Sequence, residues 1–175
     1  MSEKPGRYQR SFPGMVGALL VLLLVIGGFV LFRDAIREDP ENPVEAVELE
    51  QPVAYAREQA DFDLLAPDDL PDGWIATSVR FTDGEEQSWH LGMLTDEERY
   101  VGLEQSPRPA ADVVEEFVDE EATEGDEVSI DGETWRTWTD ADDDLALVRE
   151  DGEVTTLVLG RVSQETLEEL IATLR

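Results

Sequence analysis

The chain has 175 residues, enough for one domain of ordinary size beside a membrane segment, and two domains would be crowded. Its formal charge of −29 comes from 42 acidic against 13 basic residues, with no arginine cluster to hold a phosphate backbone, which argues against nucleic acid and anionic headgroups as partners. There is no cysteine, so disulfides, zinc thiolates, iron–sulfur centres and thiol nucleophiles are excluded.

From Pro13 to Phe32 run 20 residues without a charge. At about 1.5 Å per residue they span about 30 Å, the hydrocarbon thickness of a bilayer, and predict a transmembrane helix within residues 13–33. A cleaved signal peptide has a shorter apolar stretch followed by small residues, whereas here Phe29, Val30, Leu31 and Phe32 run straight into Arg33. Lys4, Arg7 and Arg10 before the segment outweigh Arg33 and Arg37 after it, which places residues 1–12 in the cytoplasm and the rest outside. Gly14 with Ala18 makes a small-xxx-small pair, although glycine is common in such helices anyway. Residues 34–52, broken by Pro40, Pro43 and Pro52, read as an extended extracytoplasmic spacer before an acidic domain at 53–175.

Within that domain Val53 to Ala60 is a candidate short helix and Leu64 to Ala66 a short strand, followed by the turn Leu70-Pro71-Asp72-Gly73. Strand patterns follow at Trp74 to Phe81, Trp89 to Thr95 and Tyr100 to Gln105, with linkers too short for parallel crossovers. Ala110 to Glu120 gathers Val113, Val114, Phe117 and Val118 on one helical face. Four more strands are predicted at Glu127 to Ile130, Thr134 to Thr139, Leu145 to Glu150 and Val154 to Gly160, with Asp131-Gly132 and Asp151-Gly152 as hairpin turns. Ser163 then caps a last helix whose apolar side is Leu167, Leu170, Ile171 and Leu174. The fold class is α+β: an antiparallel sheet of about 6–8 strands with helices packed on it.

His90 is the single histidine, which rules out a His-rich metal site within one chain and reads as a structural residue of its strand. A Ser–His–acid triad would need His90 with Ser78, Ser88, Ser106 or Ser129, and none of these stands in a nucleophile elbow. Asp140, Asp142 and Asp144, with Asp151, resemble calcium-loop spacing, but Leu145 stands where such a loop needs glycine, so a solvated hairpin turn is the better reading. No glycine-rich phosphate loop occurs, and no cofactor or metal is indicated. Trp74, Trp89 and Trp138, with Arg136 beside the last, form the candidate binding surface, because a tryptophan face offers a large rigid contact. Trp135 and Trp138 lie three apart in a strand and so point to opposite faces.

The segments RYQRSFPGMVGALLV, LPDGWIATSVRF, WHLGML, YVGLEQS and IDGETW together resemble an uncharacterised actinobacterial membrane family, domain of unknown function 4245, over nearly the whole chain. The resemblance implies a single-pass envelope protein with an extracytoplasmic domain and brings no activity or catalytic residue to carry over. The LPDGW entry to a strand is also loosely similar to the start of the PsbP and Mog1 type of sandwich. The function expected is a non-enzymatic binding or accessory module of the cell envelope, held in the membrane by residues 13–32, whose partner is another envelope protein or a wall component. The alternatives are a small-molecule or cation-binding sensor module and a carboxylate-dependent envelope glycan hydrolase.

Overall fold

The computed structural model describes Leu22 and residues 44–175 apart from 85 and 143. The expected cytoplasmic tail, transmembrane helix and the spacer up to residue 43 lie outside the described residues, Leu22 excepted. Among the described residues no helix is long and apolar enough to cross a membrane. In chain order the elements are α1 (Glu50–Gln59), β1 (Ile75–Thr82), β2 (Ser88–Leu94), β3 (Tyr100–Ser106), α2 (Ala110–Phe117), β4 (Thr123–Ile130), β5 (Glu133–Thr139), β6 (Leu145–Asp151), β7 (Val154–Gly160) and α3 (Gln164–Ile171).

The strands make one antiparallel seven-stranded sheet in the order β1-β2-β3-β7-β6-β5-β4. Short loops force β1–β3 and β4–β7 into two meanders, since neighbours joined by a few residues can only run antiparallel. The α2 connection carries the chain from β3 to the far edge, and β7 returns to pair with β3 from Val101↔Gly160 to Ser106↔Thr155. Asp131 and Gly132 both have positive φ, 51° and 88°, as a type I′ turn requires. In the other hairpin Asp151 pairs with Val154, so the two turn residues are Gly152 and Glu153, and of these only Gly152 is in the positive-φ region. The chemistry of a tight turn is retained, shifted by one residue from the expected Asp-Gly pair.

Other readings also differ from expectation, and α2 ends at Phe117, three residues before the expected Glu120. Helix α1 starts at Glu50 and not Val53, because Pro52 falls in the first turn, where a missing N–H costs no intrahelical bond. Val47 donates its N–H to the Ala76 carbonyl at 2.8 Å, and Val47 and Leu49 pack on the core, so the compact unit runs Val44–Arg175 and takes in the end of the expected spacer. Leu64 to Ala66 is not a strand of the sheet. Its polar groups are taken by side chains and by the end of the chain: Ala66 and Arg175 exchange backbone hydrogen bonds of 3.2 and 3.0 Å, and Pro67 bridges to Leu174. Strand β4 begins at Thr123, four residues before the expected start, and its first half is exposed, so no apolar alternation marks it.

Alternation divides the strand residues between two faces. One face, with Trp89, Leu91 and Met93 of β2 and Leu103 of β3, is buried under α1, α3 and residues 64–66. Ser163 caps α3 by accepting the Thr166 N–H at 3.2 Å, and Leu167, Leu170 and Ile171 face inward. On the opposite face α2 sets Val113 and Val114 over Ala146, Val148 and Leu157 of β6 and β7. Both edge strands are irregular, with register shifts between Ala76 and Ser78 in β1 and between Glu124 and Glu127 in β4.

Candidate functional site

The structure distributes the four predicted surface residues over three places. Trp89 is corrected outright: it is 0 % exposed, and its indole N–H donates to the Leu65 carbonyl at 3.0 Å. The register of β2 turns residues 89, 91 and 93 to the core and His90 the other way. Trp74 is half-buried and lines a polar groove of about 470 Å³ with Arg99, Arg161 and Glu169. Arg136 and Trp138 share β5 and a separate cleft of about 230 Å³, bounded by Val148 and Glu150 of β6 and by Ala110 at the start of α2. Trp138 packs one side against the α2 cluster, while Arg136 reaches across to Glu124 at 3.2 Å and Glu127 at 3.7 Å on β4. Trp135 points to the other face and is buried, as the three-residue spacing predicts, with the Arg149 guanidinium 5.4 Å from its ring centre.

The aspartates of the 140–144 turn are engaged locally. Asp140 accepts the N–H groups of Asp142 and Asp144 at 2.9 and 2.8 Å, and Asp144 pairs with Arg161 at 2.9 Å. Among the described residues no group of acidic and histidine side chains is arranged to hold a metal ion.

A second cluster, on the β1–β3 part of the face that also bears α2, joins residues from three strands. Arg80 is paired with His90, and His90 with Glu104, in the cross-strand register. Ser78, two residues along β1 from Arg80, places its hydroxyl 2.9 Å from His90 Nε2, and His90 Nδ1 is hydrogen-bonded to Glu104. An ionised carboxylate only accepts, so with Glu104 charged the Nδ1–H donates to it and Nε2 is left to accept from Ser78. Glu104 is 5 % exposed, and burial pushes its carboxyl above the ordinary range against the opposing pull of His90 and Arg80. Gly92 makes room for this arrangement, since a Cβ there would collide with Ser78 Oγ. Tyr100 lies over Gly92 and Gly102, its hydroxyl 3.0 Å from where a Gly102 Cβ would stand, and burial and the charge of Glu104 push its phenol up. Arg80 is exposed and is within 4.0 Å of no carboxylate among the described residues.

Of the four serines weighed against His90, only Ser78 meets it, and Glu104 was not singled out. The available signal was polarity in the wrong phase: Ser78, His90 and Glu104 all stand opposite core-facing neighbours in their strands. Reading that signal requires the register between strands, which the β1 bulge shifts.

A family model described as protein of unknown function (DUF4245) matches residues 7–174. No curated protein matches the chain.

Proposed function

The chain belongs to the DUF4245 family, and from that premise we propose that it is a single-pass membrane protein of the cell envelope. Its acidic outer domain acts as a binding or accessory module for another envelope protein or a wall component. The observation that carries this reading is the cleft beside Trp138, where a half-buried indole, the Arg136 guanidinium and the Glu150 carboxylate line one concave surface. An aromatic face flanked by both signs of charge suits a polar partner with an apolar contact point. The surplus of acids over the whole domain favours a partner that is basic or amine-bearing. Residues 13–32 supply the anchor by their length and lack of charge, and the basic residues before them support an outward-facing domain.

The test is cross-linking in intact cells of the full-length protein, of a version with residues 13–32 replaced by an unrelated membrane helix, and of Trp138→Ala. A partner kept with the replaced helix and reduced at least tenfold by Trp138→Ala supports the reading. A partner lost with the helix replacement moves the contact into the membrane, and no enriched partner overturns the binding role. Protease added outside intact cells should cut within 44–175, and cutting only in broken cells refutes the orientation.

A further inference from the structure

The Ser78–His90–Glu104 cluster is separate from the Trp138 cleft and has a chemistry of its own. The contacts have the arrangement needed to make a serine nucleophilic: the hydroxyl meets Nε2, and Nδ1 is tied to a carboxyl group that, when ionised, accepts its N–H hydrogen bond and holds the ring in one orientation. The three residues come from adjacent strands of a paired sheet, so their spacing is fixed by the ladder and not by a loop. Ser78 is half-buried and the His90 side chain is 17 % exposed, so both keep some solvent-accessible surface while Glu104 is buried. Arg80 adds a positive charge directly across from His90, in a domain where cations are scarce and half of the described arginines are spent on carboxylates.

We propose that Ser78 is a base-activated nucleophile that transfers the acyl group of a carboxylic ester bearing a negative charge, with His90 as general base and acid, Glu104 as its positioning partner and Arg80 as the anchor for that charge. In the first half the Ser78 oxygen forms a bond to the ester carbonyl carbon while its proton passes to His90 Nε2. The tetrahedral oxyanion then collapses, the ester C–O bond breaks, and the alcohol leaves with the proton from His90. In the second half water repeats the sequence on the acyl-serine, releasing the carboxylic acid and restoring Ser78, so ester and water become acid and alcohol. Glu104 stabilises the imidazolium of both halves without taking up the proton. A nucleophile elbow is absent because the serine is presented by an edge strand, at a register shift, above the bare backbone of Gly92.

The experiment uses the full-length protein in detergent with a fluorophosphonate, whose phosphorus captures the serine oxygen as fluoride leaves, read by intact mass and peptide mapping. One adduct on Ser78 is expected, absent in Ser78→Ala and unchanged in Ser129→Ala. His90→Asn should slow it about 100-fold, the range general-base removal gives. Glu104→Gln should slow it less and shift its pH profile. Protein-dependent hydrolysis of p-nitrophenyl 4-sulfobenzoate should exceed that of p-nitrophenyl benzoate, and Arg80→Gln should bring the ratio of the two rates toward one. Ser78→Ala removes a single oxygen, and an unchanged thermal midpoint in it shows that its lost adduct reports chemistry. Failure of Ser78 to label, or labelling at an equal rate in a folded His90→Asn protein, overturns the proposal. These readouts are independent of partner capture at Trp138.

Discussion

Trp89→Phe separates a core tryptophan from a surface one. The indole is fully buried and its N–H is the donor to the Leu65 carbonyl, in a segment held to the sheet by side chains and not by strand pairing. Phenylalanine keeps an aromatic ring but leaves that carbonyl without its donor, a cost of about 1–3 kcal/mol. The smaller ring also leaves a void in a close-packed core, worth about 1–2 kcal/mol more. The expected loss is therefore about 2–5 kcal/mol, which for a domain of this size lowers the thermal midpoint by roughly 8–20 °C. Differential scanning calorimetry of the purified wild-type and variant proteins at one pH and salt reads it directly. Amide exchange near Leu65 should rise with it, because the tether of that segment is lost. A drop smaller than about 3 °C accompanied by loss of partner capture would refute the reasoning and return Trp89 to a binding surface.

Gly92→Ala should destabilise by about 1–2 kcal/mol through the collision with Ser78, and Ser78→Gly in the same chain should restore most of the loss, whereas additive effects in a urea-denaturation cycle would show the two positions to be independent. Glu104→Gln should flatten one part of the pH dependence of stability. Burial raises the carboxyl, and Glu116 reinforces it while His90 and Arg80 oppose it, so the fold holds this proton more tightly than the unfolded chain does. That contribution is full below the ordinary carboxyl range and is lost as pH rises through the raised value, so wild-type stability relative to Glu104→Gln should fall across that interval, and parallel denaturation curves would refute it. Ser163→Ala removes the α3 cap and should cost about 1 kcal/mol by urea denaturation, with no effect on Ser78 labelling.

The elements readable from the sequence are those whose local chemistry agrees with their burial. β2, β5, β6 and β7 alternate or run apolar between turn residues, and Asp131-Gly132 fixes its hairpin through two positive φ angles. The misreadings have distinct causes. Pro52 looked like a barrier to helix and is a permitted first-turn residue, and the start of β4 is solvent-facing acid with no apolar phase. Leu64 to Ala66 has the composition of a strand but finds its partners in Gln105, Trp89 and Arg175, which no local pattern announces. At the site, Arg136 and Trp138 do share a cleft, whereas Trp89 was placed on the wrong face because composition says a residue is large and aromatic but not which way its strand is turned. The Ser78–His90–Glu104 cluster depends on the register of two strand pairs at once. That is non-local information.

The two irregular edges bear on how the protein survives at high local concentration. An open antiparallel sheet ends in rows of backbone groups that invite another strand, and a straight apolar edge would template stacking of copies. Here β4 interrupts its own ladder between Glu124 and Glu127 and lines the interruption with acids, while β1 is offset at Ala76–Ser78 and carries Arg80. A second copy approaching β4 meets a bent backbone and like charge together. The acidity of the β4 edge thus also disfavours the addition of an eighth strand there.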